Sequence, residues 1–137
     1  MQIKEKFGAV YKKVKLNFIR HMFKRLNKDK DLSSSEYFCM ECIYLMDKPT
    51  ISQFANFLNI SSPNATYKVK TLIKKGYLQK EKSQKDKREY RLVPTQKFLD
   101  VFETKEDDLQ LSEVKKGLSS SDSKKVEKIV KILSERS

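Results

Sequence analysis

The stretch 83–95, SQKDKREYRLVPT, places one acid, Asp86, two residues ahead of Arg88 and between Lys85 and Lys87, with Tyr90 and Leu92 following in alternation. Lysine and arginine at such a density suit contacts to phosphate-like anions. At its plainest, an acid two residues from an arginine on a turn is a surface ion pair. The other reactive side chains are few: Cys39 and Cys42, three apart, and the single histidine, His21. Those three fall short of the four ligands that a closed zinc site needs, and only Glu36 or Glu41 is left to complete the set, so no metal and no other cofactor is expected. A reactive thiol needs a cation or a helix start beside it. Both cysteines instead stand among Tyr37, Phe38, Met40, Ile43 and Tyr44. Buried, inert thiols are the favoured reading, and Cys39 and Cys42 are kept as redox candidates only. There is no Ser/His/Asp set, no glycine-rich phosphate loop and no carboxylate pair in an apolar setting, so the chain is not expected to be an enzyme.

Charge narrows the class of partner. The 137 residues carry a net charge of +12 with a pI of about 9.6. Residues 1–30 hold ten Lys/Arg against two acids, 31–60 one against four, 61–95 ten against three, and 96–137 nine against nine. Two basic blocks separated by an acidic one point to a polyanion such as nucleic acid or an acidic membrane face. No apolar run approaches the ~20 residues that span a bilayer. The start, MQIKEKFGAVYKK, lacks the apolar stretch of a signal peptide. A disulfide across one helical turn would be unusual, so a reducing cytoplasm is expected, with no membrane partner.

With three glycines and three prolines, long helices should dominate. Phe7, Val10, Val14, Phe18, Met22 and Leu26 form one apolar stripe on a first helix, with Lys12, Lys13, Lys15, Arg20 and Lys24 off it. Ser33 with Glu36 has capping-box spacing and opens a second helix through YFCMECIYLM, ended by Lys48-Pro49. Thr50 with Gln53 repeats the box ahead of Ile51, Phe54, Ala55 and Leu58, a helix of about two turns. After the turn Asn59-Ile60-Ser61, Ser61 can cap a helix with Pro63 in its first turn. That helix covers about 62–75 and stops at Gly76. Tyr77–Lys82 and Arg88–Val93 are β-prone and flank the charged tip as a hairpin. Pro94 closes the second strand and Thr95 caps a fifth helix. SSSDS at 119–123 precedes a final helix with Val126, Ile129, Val130, Ile132 and Leu133 on its apolar side.

Two short helices, a tight turn and then a hairpin make a winged helix-turn-helix. In SSPNATYKVKTLIKKG, Ala65, Val69, Leu72 and Ile73 share one face and should pack inward. Asn64, Tyr67, Lys70, Thr71 and Lys74 face away, with Lys68 on the flank. Asparagine can bind an adenine edge, and Tyr or Thr a phosphate or a thymine methyl. The helix N-terminus favours a phosphate oxygen. Ser62, Asn64 and Ala65 should therefore go deepest into a major groove.

The run from Leu32 to Thr95 resembles the MarR family of bacterial transcriptional regulators, through LSSSEYFCMECIYL, TISQFANFLNISSPNATYKVKTLIKKGYL and KDKREYRLVPT. The wing pattern of an Asp, an Arg two on and a Thr nine after the Asp is met by Asp86, Arg88 and Thr95. The Lys-rich, apolar texture is also similar to staphylococcal SarA-like proteins. Two positions depart from the family pattern: Pro94 stands where Leu is usual, and Phe98 where Gly is usual. The resemblance implies a mainly α fold, one MarR-like domain over 1–137, with 31–95 as the winged helix DNA-binding module and 1–30 and 96–137 as dimerisation helices. It implies that Arg88 enters the minor groove, held by Asp86, with Lys85 and Lys87 on flanking phosphates. An A·T tract favours such an inserted arginine through its narrowed minor groove.

The expected partners are double-stranded DNA and a second copy of the chain. The first helix's stripe and the Val126/Val130/Leu133 face cannot both be buried by a winged module of this size, and MarR-like proteins pair such helices about a two-fold axis. Family members often take small phenolic or lipidic effectors, and Tyr11, Phe18, Tyr37, Phe38, Tyr44 and Phe54 could line a cavity for one; simple core is the plainer reading of those rings. The expected function is a dimeric repressor of a pseudo-palindromic operator. Two alternatives stand beside it: a low-specificity nucleoid- or RNA-binding protein, told apart by steep salt dependence with little sequence preference, and a winged-helix assembly module, which would bind no DNA even at low salt.

Overall fold

A computed structural model describes residues 2–85, 88–102 and 115–136. In order along the chain are α1 (Ile3–Lys28), α2 (Ser34–Met46), α3 (Ile51–Leu58), α4 (Ser62–Lys74), β1 (Leu78–Lys82), β2 (Tyr90–Pro94), α5 (Gln96–Phe102) and α6 (Ser120–Arg136). The fold is mainly helical with one two-stranded antiparallel sheet, a winged helix architecture. The chain forms two compact units, Met1–Phe18 with Asp108–Ser137, and Ile19–Asp107.

Local hydrogen bonds fix the helix starts. The Ser33 hydroxyl accepts from the Glu36 amide at 3.2 Å while Glu36 Oε1 accepts from the Ser33 amide at 2.9 Å. Thr50 and Gln53 make the same reciprocal pair at 3.0 Å each way. Ser61 Oγ accepts from the Asn64 amide at 3.3 Å. Each cap satisfies amides that the first turn leaves without a helical partner.

The end of α4 is equally local. Gly76 sits at φ +87°, its amide donating to Ile73 O at 3.0 Å, and Tyr77 donates to Leu72 O at 3.1 Å. This is a Schellman turn, with the buried Tyr77 and Leu72 as its apolar contact. Thr95 differs from its expected role. Its backbone carbonyl accepts from the first turn of α5, but its hydroxyl donates to Gly76 O at 2.5 Å instead of capping the helix. Thr95 thereby ties the end of the wing to the end of α4.

The core of the Ile19–Asp107 unit holds Tyr37, Met40, Ile43, Phe54, Val69, Leu72, Tyr77, Leu78, Leu92 and Phe98, each at most 2% exposed. Burial of each such side chain contributes about 1.5–3 kcal/mol before entropy is counted. The hairpin pairs Leu78 with Pro94 and Lys82 with Tyr90, and its second strand is Tyr90–Pro94 where the sequence pattern predicts Arg88–Val93. Leu92 donates to Pro49 O at 2.8 Å, so the α2–α3 connection flanks β2. Phe98 is fully buried and lies 6.2 Å from the Tyr37 ring, which explains a large side chain where the family pattern has Gly.

Arg25 is 4% exposed, a charge inside this unit that the sequence pattern did not single out. Its Nη1 donates to the Tyr37 hydroxyl at 2.7 Å, and its guanidinium stands 4.7 Å over the Phe102 ring. Burial first, then the Glu41 carboxylate, push the Tyr37 hydroxyl up to about 12, so it stays protonated. Burial also raises Glu41, against the pull of Arg25.

In the Met1–Phe18 and Asp108–Ser137 unit the apolar stripes face outward. Phe7 is 71% exposed and Val10 56%; on α6, Ile129 is 57% and Leu133 65%. Lys115 pairs with Glu127 there.

Candidate nucleic-acid interface

Helix α4 owes its two faces to its sequence spacing. Ala65, Val69 and Leu72 are buried at 0–1% exposure. On the opposite side Ser62, Asn64, Tyr67, Lys70 and Lys74 are exposed, Tyr67 at 71%. Lys68 and Thr71 are half-buried at the flank. The Thr71 hydroxyl donates to Tyr67 O at 3.0 Å, within the helix. Ala65 corrects the sequence reading: its methyl packs into the core, so it belongs to the inner face and has no route to a groove. Two residues of a helix start can flank a third that points inward, because neighbours are turned by about 100°.

The wing is anchored at its root. Arg91 Nη1 donates to Lys48 O at 3.3 Å and to Gln53 Oε1 at 3.2 Å, and Nη2 meets Glu89 Oε2 at 3.2 Å. Gln53 is the capping glutamine of α3, so one arginine joins the hairpin to the first helix of the pair. The sequence reading missed this role of Arg91, since Lys48 and Gln53 lie far away along the chain. At the tip Lys85 and Arg88 are exposed. Asp86 and Lys87 lie outside the described residues, and with them the expected pairing of Asp86 with Arg88.

Beside α4 run two clefts of about 230 and 430 Å³ that share Ser35, Cys39 and Lys68. Phe38, Leu58 and Ile60 line the larger. Cys39 is 7% exposed and Cys42 half-buried, with Cys42 Sγ 3.7 Å from Met46 Sδ. Burial pushes both thiols above the ordinary 9.0, for Cys39 against the pull of Lys68. A raised pKa disfavours the reactive thiolate. Among the described residues no group of three or more His, Cys, Asp and Glu is arranged to hold a metal ion. Of the aromatic residues considered for an effector cavity, Tyr37 and Phe54 are fully buried core residues, and the half-buried Tyr44 lies 4.6 Å from Phe102 with the rings tilted. Among the described residues no helix is long and apolar enough to cross a membrane.

A short helix, a tight turn, a second helix with an exposed polar face and a basic hairpin make up a winged helix-turn-helix module. Residues 32–90 match the family model described as MarR family. Among solved structures, a transcriptional regulator from Thermotoga maritima is similar with TM-score 0.61 at 20% identity, covering 95% of this chain and 92% of that one. A MepR mutant from a multidrug-resistant S. aureus clinical isolate gives 0.66 at 15% identity, covering 96% and 97%. An S. aureus MepR mutant bound to an oligodeoxyribonucleotide gives 0.52 at 16%, covering 96% and 98%. At these identities the likeness is one of fold. No curated protein matches the sequence. Residues 32–90 are thus similar to the MarR family, and the chain shares the fold of these solved regulators.

Proposed function

We propose that the chain is a dimeric, cytoplasmic repressor that binds a pseudo-palindromic, A·T-leaning operator. The observation that carries this reading is the exposed row Asn64, Tyr67, Lys70 and Lys74 on α4, set opposite a fully buried face and followed by a basic wing. In the complex α4 lies in the major groove, with Ser62 and Asn64 nearest the bases. Arg88 probes the minor groove, oriented by Asp86, and Lys85 and Lys87 take flanking phosphates. Lysines supply the salt-dependent, sequence-neutral part of the affinity.

The dimer is supported by the apolar side chains left exposed on α1 and α6, Phe7, Val10, Ile129 and Leu133 among them. A monomer would leave them in water, whereas a two-fold pairing buries both faces and sets two α4 helices one turn of DNA apart. One solved structure of the same fold holds an oligodeoxyribonucleotide, which fits the proposed partner.

Arg88→Ala tests the wing. The expected result is a loss of operator affinity of about tenfold or more in a gel-shift titration, with far-UV circular dichroism unchanged. Operator affinity equal to that of the unaltered chain would remove Arg88 from the interface.

A further inference from the structure

The residue that follows the recognition helix, Lys75, is held by a cluster drawn from four segments. Lys75 Nζ donates to Asp31 O at 2.8 Å and to Glu36 Oε1 at 2.9 Å, reaching the α1–α2 connection and the first turn of α2. Lys97 of α5 donates to the Lys75 carbonyl at 2.8 Å and lies 3.7 Å from Asp31 Oδ2. The Lys97 ammonium also stands 4.4 Å over the Tyr77 ring, and the Tyr77 hydroxyl donates to Asp29 Oδ2 at 2.5 Å. All of this lies within the Ile19–Asp107 unit. Its neighbour Lys74 is exposed on the outer face of the helix. The adjacent lysines therefore sit in opposite settings, although the sequence gives them the same appearance.

We propose that Lys75 is a positioning residue for DNA recognition, which makes no contact with the duplex and sets the tilt of α4 against the rest of its module. The inference rests on the DNA-binding reading above. The lever is simple. At ~1.5 Å rise per residue, Asn64 stands about 16 Å up the helix from Lys75, so a tilt of roughly 5° displaces it by about 1.5 Å. A shift of that size takes a base-edge hydrogen bond outside its working distance. Lys75 has three donors and satisfies two acceptors on two different segments, which a single phosphate contact would not require.

A phosphate contact and a positioning contact differ in their salt dependence. Each phosphate neutralised by a lysine adds about one to the slope of log affinity against log salt, and a residue that touches no phosphate adds nothing. The test uses the full chain and a duplex recovered by selection from a randomised pool. Anisotropy titrations across a salt series are run on the unaltered chain, Lys75→Met, Lys75→Arg and Lys70→Ala, with amide hydrogen exchange on the first three.

Lys75→Met is expected to lose about tenfold in affinity with its slope unchanged, while exchange quickens at 29–36 and 72–77. Lys75→Arg, which keeps donors in reach, restores both, and Lys70→Ala lowers the slope by about one. A Lys75→Met slope lower by about one would make Lys75 a phosphate ligand and overturn the proposal. So would unchanged affinity together with unchanged exchange. Should Lys75→Met fail to fold, Lys97→Met, which removes the donor to the Lys75 carbonyl, is judged by the same two readouts. Failure of the unaltered chain to bind any duplex would defeat the DNA-binding reading itself, separately from the clamp that exchange reports.

Discussion

Glu36 Oε1 accepts two hydrogen bonds, from the Ser33 amide and from Lys75 Nζ, both at 2.9 Å. Burial works to raise its pKa, but the Ser33 amide and the Lys75 ammonium outweigh that and hold the carboxyl below its ordinary 4.5. A carboxylate with a depressed folded-state pKa contributes stability that is complete above the unfolded value and lost as pH falls through the folded one. Glu36→Gln separates the two contacts, because glutamine serves a capping box but carries no charge for Lys75. The expected outcome is a variant less stable than the unaltered chain above about pH 4.5, with the gap closing as acid is added below it. Urea unfolding at a series of pH values measures it, and a pH-independent gap would contradict the assignment. The Ser33/Glu36 half of this arrangement was legible in the sequence, since capping needs only a spacing of three. The Lys75 half was not, because Lys75 is 39 residues away from Glu36. Arg25 was hidden for the same reason: its partner Tyr37 lies on another helix, and a charged residue in a basic segment gives no sign of burial.

At the scale of elements, the chain's punctuation carries most of the fold. The two capping boxes, the Ser61 cap and Gly76 all act where the sequence pattern put them, because each is decided within a few residues. The connection between α2 and α3 shows what punctuation leaves out. Asp47 and Lys48 sit at φ 58° and 56°, consecutive left-handed residues with no glycine to announce them. A non-glycine residue there is strained by roughly 1–2 kcal/mol, while glycine has more unfolded-state freedom to lose. The turn persists because it delivers Pro49 O to Leu92 and Lys48 O to Arg91, which attach the wing. Lys48→Gly relieves the strain and keeps the carbonyl. It is expected to raise unfolding stability by about 0.5–1 kcal/mol in urea melts, with DNA affinity unchanged. A loss of stability would mean that the turn is held by the lysine side chain instead. The second strand, Tyr90–Pro94 instead of the expected Arg88–Val93, is attached at the same place: Leu92 is buried and bonded to Pro49.

At the scale of the whole molecule, the charge blocks and the exposed apolar stripes describe two jobs. The basic block at 61–95 is carried by α4 and the wing. The α6 stripe and the first half of the α1 stripe lie in the other unit and present Phe7, Val10, Ile129 and Leu133 to solvent, while Met22, further along α1, is buried in the Ile19–Asp107 unit. The amphipathic spacing makes these stripes visible in the sequence, yet spacing cannot say whether a stripe is covered by its own chain or by another. If two copies pair through these faces, the operator must carry the same symmetry as the protein. That requirement links dimerisation and groove reading in a single measurement. Duplexes should be selected from a randomised pool by the full chain at near-physiological salt and then sequenced. The expected product is an inverted repeat with half-site centres about 10 bp apart, or a multiple of that, and an A·T-rich stretch where the wings fall. A recovered pool no different in sequence from the starting one would contradict the account and leave a basic protein bound through charge alone.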